Sequence, residues 1–183
     1  MKRNHSDGRW VLLIVRLPTE PSRHRVAVWR ELRRSGAVQI GQGSWALPVS
    51  PAATDTVEKV AELVDRGEGE LLLLDASPMD ETTDSRIRAV YDDARRAEWA
   101  EFASECVKCL AELKREIAKK KFTLAELDEE EQNVDRLRRW HRELTVSDIF
   151  HSVPPDTTQR QLDECAALLD RFTALVYSTL GLS

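Results

Sequence analysis

Two short apolar runs constrain the first part of this chain more than any other feature. Residues 10–17 read WVLLIVRL and stop at Pro18, and residues 69–77 read GELLLLDAS and stop at Pro78. Each run is short, rich in aliphatic residues and closed by a proline, so each predicts a buried strand. The residues between them must therefore complete a sheet.

The segment after the first run predicts a helix followed by a hairpin. Ser22 is a candidate N-cap for the helix, and Gly36 is a candidate stop. Residues 37–49 then alternate on both sides of Gly41-Gln42-Gly43, as two strands joined by a tight turn do. The apolar residues that flank this turn are Val38, Ile40, Trp45 and Leu47.

A second helix precedes the second apolar run. Thr54 or Asp55 is its expected N-cap, and Gly67 its expected end. The resulting order β-α-β-β-α-β is typical of the ferredoxin-like arrangement, in which four antiparallel strands carry both helices on one face. We therefore predict a ferredoxin-like core over residues 10–80. The apolar face of the second helix comprises Val57, Val60, Ala61 and Val64.

Residues 84–183 predict an all-α module of three antiparallel helices, so the fold class is α+β. Apolar residues recur there every three or four positions, with breaks near Thr123 and at Pro154-Pro155. The first helix exceeds about 30 residues, longer than a lone domain usually needs, so we expect the long helices to form a homodimer. The predicted core positions include Trp99, Phe102, Cys106 and Leu113, then Leu127, Val134, Leu137 and Leu144, then Leu162, Cys165, Leu169, Phe172 and Val176.

The composition limits the class of protein. Hydrophobic residues make up 42 % and charged residues 32 %, which is typical of a globular chain. No apolar run approaches ~20 residues, so no membrane partner is expected. Three cysteines, an odd number, argue against a disulfide framework and indicate a reducing cytoplasm. Residues 1–9 are expected to be a disordered leader, since no small-residue cleavage site follows them.

Charge is distributed unevenly along the chain. Residues 1–49 contain nine Lys and Arg against three Asp and Glu, whereas the whole chain has a net charge of −5. A basic front half on an acidic protein predicts one local surface for an anionic partner. The alternative is that the two halves neutralise each other within the fold or across a dimer.

Three arginines of the helix predicted between Ser22 and Gly36 are the best candidates for such a surface. Arg23, Arg30 and Arg34 fall within roughly 40° of one another at 100° per residue. Guanidinium groups in a line offer donors suited to an oxyanion or to successive phosphates. The alternative is a solvated helix face whose arginines complement the C-terminal dipole. Glu31 lies off this line, and the apolar Val26, Val28, Trp29 and Leu32 are expected to pack on the sheet.

The remaining chemistry-bearing residues predict no catalytic or metal site. Cys106 and Cys109 share a helix face, but a redox pair sits at a helix N-terminus and no second ligand pair follows with zinc-like spacing. We expect both to be core residues. The sequence contains no phosphate-binding loop, dinucleotide loop or nucleophile elbow. We therefore expect no cofactor and no enzymatic activity.

The stretch LLIVRLPTEPSRHRVAVWRELRRSGAVQIGQGSWALP, residues 12–48, resembles the N-terminal domain of the chromate-resistance protein ChrB family. The similar features are the strand ending in Leu17-Pro18, the helix with its glycine stop, and the hairpin. The stretch SDIF at 147–150 is similar to an acidic–aromatic stretch in the family. The residues carried over by position are Arg25, Trp29, Arg30, Gly36, Gly43 and Pro48.

This resemblance implies a ferredoxin-like core akin to the Cas2-like domain of some bacterial regulators. It also implies a cytoplasmic role in chromate-responsive control of resistance genes, with a chromate-like oxyanion or nucleic-acid phosphate as partner. Arg25 joins the candidate anion-binding arginines on this ground alone. Larger members of the family carry a further C-terminal domain, to which sensing or DNA binding could belong.

Two other functions remain as alternatives. A Cas2-like metal-dependent nuclease would place an acidic residue just after the first strand, where Glu20 is the only candidate in Pro18-Thr19-Glu20. The other alternative is a helical protein-interaction module without a ligand. Both differ from the main hypothesis, in which Trp45 and Leu47 join helix and hairpin while the arginines face an anion.

Overall fold

A computed structural model describes residues 8–182. Most of the predicted leader, residues 1–7, lies outside the described residues. The elements are β1 (Trp10–Arg16), α1 (Ser22–Arg34), β2 (Val38–Gly41), β3 (Ser44–Pro48), α2 (Pro51–Arg66), β4 (Glu70–Ala76), α3 (Glu81–Lys119), α4 (Leu124–Ser147) and α5 (Pro155–Leu180). This order confirms the predicted α+β class.

The four strands form one antiparallel sheet in the order β2-β3-β1-β4. The predicted hairpin is confirmed, with Gly41 opposite Ser44. Gly43 adopts a φ of +69°, and its carbonyl accepts a 2.8 Å hydrogen bond from the backbone N–H of Val15. A Cβ at Gly43 would lie 2.7 Å from the Val15 carbonyl oxygen, so the turn requires glycine. The sheet is the predicted ferredoxin-like one.

Helices α1 and α2 pack on the same face of this sheet, as predicted. Their buried side chains share one apolar core with β1 and β3. Val26 and Trp29 are exceptions, because they are 43 % and 49 % exposed, and the expectation that these two residues pack on the sheet is wrong. Val28 and Leu32 face the sheet, and the 100° step between successive residues turns Trp29 away from it. The core comprises Leu13, Val28, Leu32, Ala37, Trp45, Leu47, Ala53, Val60 and Val64.

Both N-caps in this part of the chain differ from the prediction. Helix α2 begins at Pro51, and the Ser50 hydroxyl accepts a 3.2 Å hydrogen bond from the Ala53 N–H, so neither Thr54 nor Asp55 is the cap. A proline in the first helical turn lacks the N–H that would go unpaired there, which explains the earlier start. Ser22 is the first residue of α1 and not its cap.

Strand β4 is exposed, whereas the sequence predicted a buried strand. Leu72, Leu73 and Leu74 are 52 %, 45 % and 49 % exposed. The reason is topological: β4 lies at the edge of the sheet and pairs with β1 alone.

The described chain divides into two compact units. The first runs to Arg95 and includes Val146–Phe150, and the second contains Arg96–Thr145 with the chain from His151 onward. Within the first unit, the sheet face opposite α1 and α2 packs against the first turns of α3. The buried residues of this contact are Trp10, Val38 and Ala46 of the sheet and Tyr91 of α3, with Phe150 packed against them.

The second unit contains the three-helix core that the helical spacing predicts. Helices α3 and α4 run antiparallel, since Trp99 packs on His141 while Glu105 pairs with Arg136. Among residues 8–182, no helix is both long and apolar enough to cross a membrane. The buried core comprises Trp99, Phe102, Cys106, Cys109, Leu113, Leu127, Val134, Leu137, Leu144, Leu162, Cys165, Leu169, Phe172 and Val176.

Candidate functional site

Helix α1 is held in place by its apolar side and presents its basic side to solvent. Val28 and Leu32 are buried against the sheet. The thirteen residues of the helix include five arginines, all exposed, and one acidic residue, Glu31. This imbalance places several guanidinium groups within one short stretch of surface.

Arg23, Arg30 and Arg34 lie on the side of α1 opposite the buried residues, as their spacing predicts. Arg34 donates two 2.8 Å hydrogen bonds from Nη2 to the carboxylate oxygens of Glu31. Glu31 therefore neutralises Arg34, a contact that the sequence analysis missed. Arg23 donates a 3.3 Å hydrogen bond to Nε2 of His24. Arg30 makes no hydrogen bond or ion pair with any residue that the structure describes.

A second line of exposed residues runs beside the first. Arg25, Trp29 and Arg33 are spaced four residues apart, so they stack along one side of α1. The Arg33 guanidinium lies 5.7 Å from the centroid of the Trp29 ring. Arg25 has no hydrogen-bond or ion-pair partner within residues 8–182. The four-residue spacing was visible in the sequence, but the apolar character of Trp29 suggested a core position.

We name Arg23, Arg25, Trp29, Arg30 and Arg33 the α1 arginine surface. Its guanidinium groups can donate bidentate hydrogen bonds to an oxyanion or a phosphate. The exposed indole of Trp29 provides a flat face on which a nucleic-acid base could stack. Arg34 was also predicted to belong to this surface. We leave it out of the named set because its guanidinium already forms an ion pair with Glu31.

The C-terminal end of α1 is anchored by a buried arginine. Gly36 adopts a φ of +83°, and its carbonyl accepts a 2.8 Å hydrogen bond from Nη1 of Arg95, which is 1 % exposed. A Cβ at Gly36 would lie 2.5 Å from that nitrogen and 2.9 Å from the Cβ of Ser147. Only glycine therefore fits at this position. The sequence indicated a stop at Gly36 but not the residues that surround it.

Tyr91 connects α3 to the segment 147–150. Its hydroxyl donates a hydrogen bond to the Ser147 carbonyl and accepts a 3.2 Å hydrogen bond from the Ile149 N–H. Burial raises the pKa of Tyr91. The Phe150 ring lies 5.2 Å from the Tyr91 ring and 5.9 Å from the Trp10 ring. The SDIF stretch thus packs against the sheet, which gives it a structural role.

The hairpin residues carried over from the resemblance also have structural surroundings. Trp45 is buried in the core beneath α1 and α2. Pro48 is buried and lies opposite Trp10 in the pairing of β1 with β3. Together with Gly43 at the turn, these residues shape the sheet on which α1 lies.

The three cysteines meet in the core of the second unit. Cys165 lies with its sulfur 3.6 Å from the main-chain oxygen of Cys106, and all three thiols are free and buried. Hydrogen bonding to Cys165 lowers the pKa of Cys106, and hydrogen bonding to Cys106 raises the pKa of Cys165 to about 12. Within the described part of the chain, no three His, Cys, Asp or Glu side chains are grouped so that they could hold a metal ion. Glu20, the candidate nuclease residue, is exposed.

Comparison with known proteins identifies the family. A family model described as Protein ChrB, N-terminal, matches residues 25–183. Protein ChrB of Cupriavidus metallidurans is 29 % identical over 99 residues, which cover 54 % of this chain and 30 % of that protein. The matched region is thus less than a third of that relative's length. Since the family model covers most of the chain, from Arg25 in the arginine-rich helix through the last helix, the chain belongs to the ChrB N-terminal family.

Proposed function

We propose that this chain is a regulatory protein that binds an oxyanion or nucleic-acid phosphates through the α1 arginine surface. Membership of the ChrB N-terminal family supports a role in chromate-responsive control of resistance genes. In this proposal the protein acts in the cytoplasm, has no catalytic activity and needs no cofactor.

The proposal rests on the exposure of Arg25 and Arg30 and on their lack of partners. Both are exposed, and neither has a hydrogen-bond or ion-pair partner among the described residues. Some arginines elsewhere on the surface pair with nearby acids, as in Arg66–Glu62 and Arg138–Asp135, and others such as Arg160 do not. Arg25 and Arg30 differ from Arg160 because they lie beside the exposed Trp29 on a helix that contains a single acidic residue. Unmatched guanidinium groups beside an exposed tryptophan favour an anionic ligand, because ligand binding would supply the missing acceptors.

A binding assay tests this proposal directly. Chromate, sulfate and a DNA duplex are titrated calorimetrically into the full chain and into Arg25→Ala and Arg30→Ala variants. We expect each substitution to weaken binding about tenfold or more, since a charge-assisted hydrogen bond contributes about 1.5–3 kcal/mol. Arg160→Ala is the matched control, because Arg160 is an exposed arginine on α5 with no partner among the described residues. Equal affinities for all four proteins, or no binding of any probe, would show that the surface is not a site.

Salt dependence separates the two classes of ligand. Each phosphate contact with duplex DNA contributes a slope of about 0.9 to the fall of log K with log salt concentration. Contacts from several arginines would therefore produce a steep slope of log K against log salt concentration. In Arg30→Ala this slope should be shallower by about one unit. Binding of a single small oxyanion has a shallow slope.

The nuclease alternative is tested in the same preparations. Release of fragments from labelled RNA or DNA in the presence of Mg²⁺, and its loss in Glu20→Ala, would favour that activity over the regulatory role. Glu20 follows β1 in the loop before α1, where the resemblance would place the acidic residue.

The predicted homodimer through the long helices remains a prediction. The length of α3 suggested it, but the apolar stripes of α3, α4 and α5 pack within one chain, in the core that these helices share. Exposed apolar side chains on these helices are scattered, as with Val107 on α3 and Val146 on α4.

A further inference from the structure

The outer edge of β4 is an apolar surface within the first unit. Leu72, Leu73 and Leu74 are each about half exposed, although they are consecutive residues whose side chains alternate between the two sheet faces. The strand pairs with β1 on one side only, so its other side presents unpaired N–H and C=O groups. Such an edge offers hydrogen bonds and apolar contacts at the same time.

The central part of this edge, residues 71–74, lacks the features that usually prevent strand addition. Residues 71–74 contain no proline and no charged residue, and pairing with β1 continues without a bulge from Trp10 opposite Ala76 to Arg16 opposite Glu70. Natural edge strands are normally protected by charges, prolines, bulges or covering elements. A long, regular and apolar edge is therefore suited to pairing with another strand.

The charges at the two ends of β4 are already neutralised within the chain. Nη1 of Arg16 lies 3.5 Å from Oε2 of Glu70, and Arg9 forms an ion pair with Asp75. Each end of the strand thus presents one acidic and one basic group. In an antiparallel second copy, the Arg16–Glu70 pair of one chain would lie near the Arg9–Asp75 pair of the other. This arrangement does not gather charge of one sign.

The sequence of β4 is also self-complementary in an antiparallel register. A two-fold axis perpendicular to a sheet sets one residue opposite its own copy, because opposed side chains must lie on the same face. With Leu73 on the axis, Leu72 lies opposite the partner's Leu74, and Asp75 lies opposite the partner's Leu71. Three leucine pairs then form the centre of the contact, and no two acidic side chains lie directly opposite each other.

We propose that two copies of this chain associate through antiparallel pairing of β4, centred on Leu73, and that the two four-stranded sheets become one continuous eight-stranded sheet. The partner is a second copy of this chain. This surface is separate from the α1 arginine surface and does not depend on its ligand.

The first test is the mass of the full chain in solution, measured by analytical ultracentrifugation over a concentration series. We expect twice the monomer mass for the wild-type protein and loss of the dimer in Leu73→Lys, which would set two ammonium groups opposite each other on the axis. Val107→Lys, on an exposed position of α3, is the matched control and should remain dimeric. A wild-type monomer throughout the series, or a Leu73→Lys protein that remains dimeric, would overturn the proposal.

The second test uses oxidative cross-linking and does not require disruption of the fold. Opposed residues in antiparallel strands have Cα atoms about 4.5–5.5 Å apart, within the range of a disulfide. Leu73→Cys should therefore form a cross-linked dimer, whereas Leu72→Cys, which faces Leu74 of the partner subunit, should form much less. The native cysteines are buried and provide the background in the wild-type chain. No cross-link in Leu73→Cys, or equal yields in both variants, would contradict the proposed register.

Discussion

The buried guanidinium of Arg95 donates a 2.8 Å hydrogen bond from Nη1 to the main-chain carbonyl of Gly36. This contact joins α3 to the second residue after α1, and both residues belong to the first unit. The orientation of the arginine-rich helix relative to the sheet thus rests on its apolar face and on an anchor at its C-terminal end.

Replacing Gly36 should destabilise the protein through crowding as well as backbone strain. Gly36→Ala adds a Cβ 2.5 Å from Nη1 of Arg95, at a φ of +83°. We expect a loss of about 2–4 kcal/mol in the free energy of unfolding. Gly181→Ala is the matched control, since Gly181 has a φ of +67° but no atom within 4 Å of the added Cβ. Urea unfolding should show a clearly smaller loss for Gly181→Ala, and equal losses would exclude crowding at Gly36.

The Tyr91 hydroxyl should contribute to stability because it serves two main-chain groups. Tyr91→Phe leaves the Ser147 carbonyl and the Ile149 N–H without this partner. We expect a loss of about 1–3 kcal/mol in chemical denaturation. Tyr177→Phe removes the hydroxyl of a 42 % exposed tyrosine and should have almost no effect. If both variants unfold at the wild-type midpoint, the hydroxyl of Tyr91 has no structural role.

Trp45 and Trp29 were both expected to pack in the core, but their removal should reduce the free energy of unfolding by very different amounts. Trp45→Ala removes a buried ring and should cost about 3–5 kcal/mol. Trp29→Ala removes a ring that is 49 % exposed and should cost about 1 kcal/mol or less. Thermal and urea unfolding of both variants measures the difference. A large loss for Trp29→Ala would mean that this ring does pack against the sheet.

His141 should make stability depend on pH. Burial lowers the pKa of His141 below its ordinary value of 6.5, although Asp163 acts in the opposite direction. The unfolded chain therefore binds this proton more readily than the folded protein. The contribution of neutral His141 is complete above about pH 6.5 and decreases as the pH falls below that value.

The comparison with His141→Gln isolates this effect. Urea unfolding of both proteins at about pH 7.5 and about pH 5.5 should show a larger loss of stability on acidification in the wild type, because other titrating groups are common to both. Glutamine retains polar atoms near the hydroxyl of Thr158, which lies 3.2 Å from Nε2 of His141. Identical pH dependence in the two proteins would contradict the prediction.

Much of the fold could be predicted because its signals are local. The turn at Gly43, the stop at Gly67 and the three- and four-residue spacing in α3 to α5 each depend on neighbouring residues alone. The start of α2 was misplaced because several residues of cap type follow one another, and the proline in the first turn made Ser50 the cap. The arginines of α1 were found from their spacing, but their partners were not.

The amino-acid sequence by itself determined the order of the elements, the ferredoxin-like topology and the basic side of α1, since periodicity and turn chemistry act over a few residues. Only the tertiary structure decided that Arg34 pairs with Glu31, that Arg95 donates a hydrogen bond to the Gly36 carbonyl and that Trp29 faces solvent. It also decided that β4 lies at an edge, where its leucines remain half exposed. These outcomes depend on which distant segments meet, and the apolar pattern of a strand is the same whether or not a neighbour covers it.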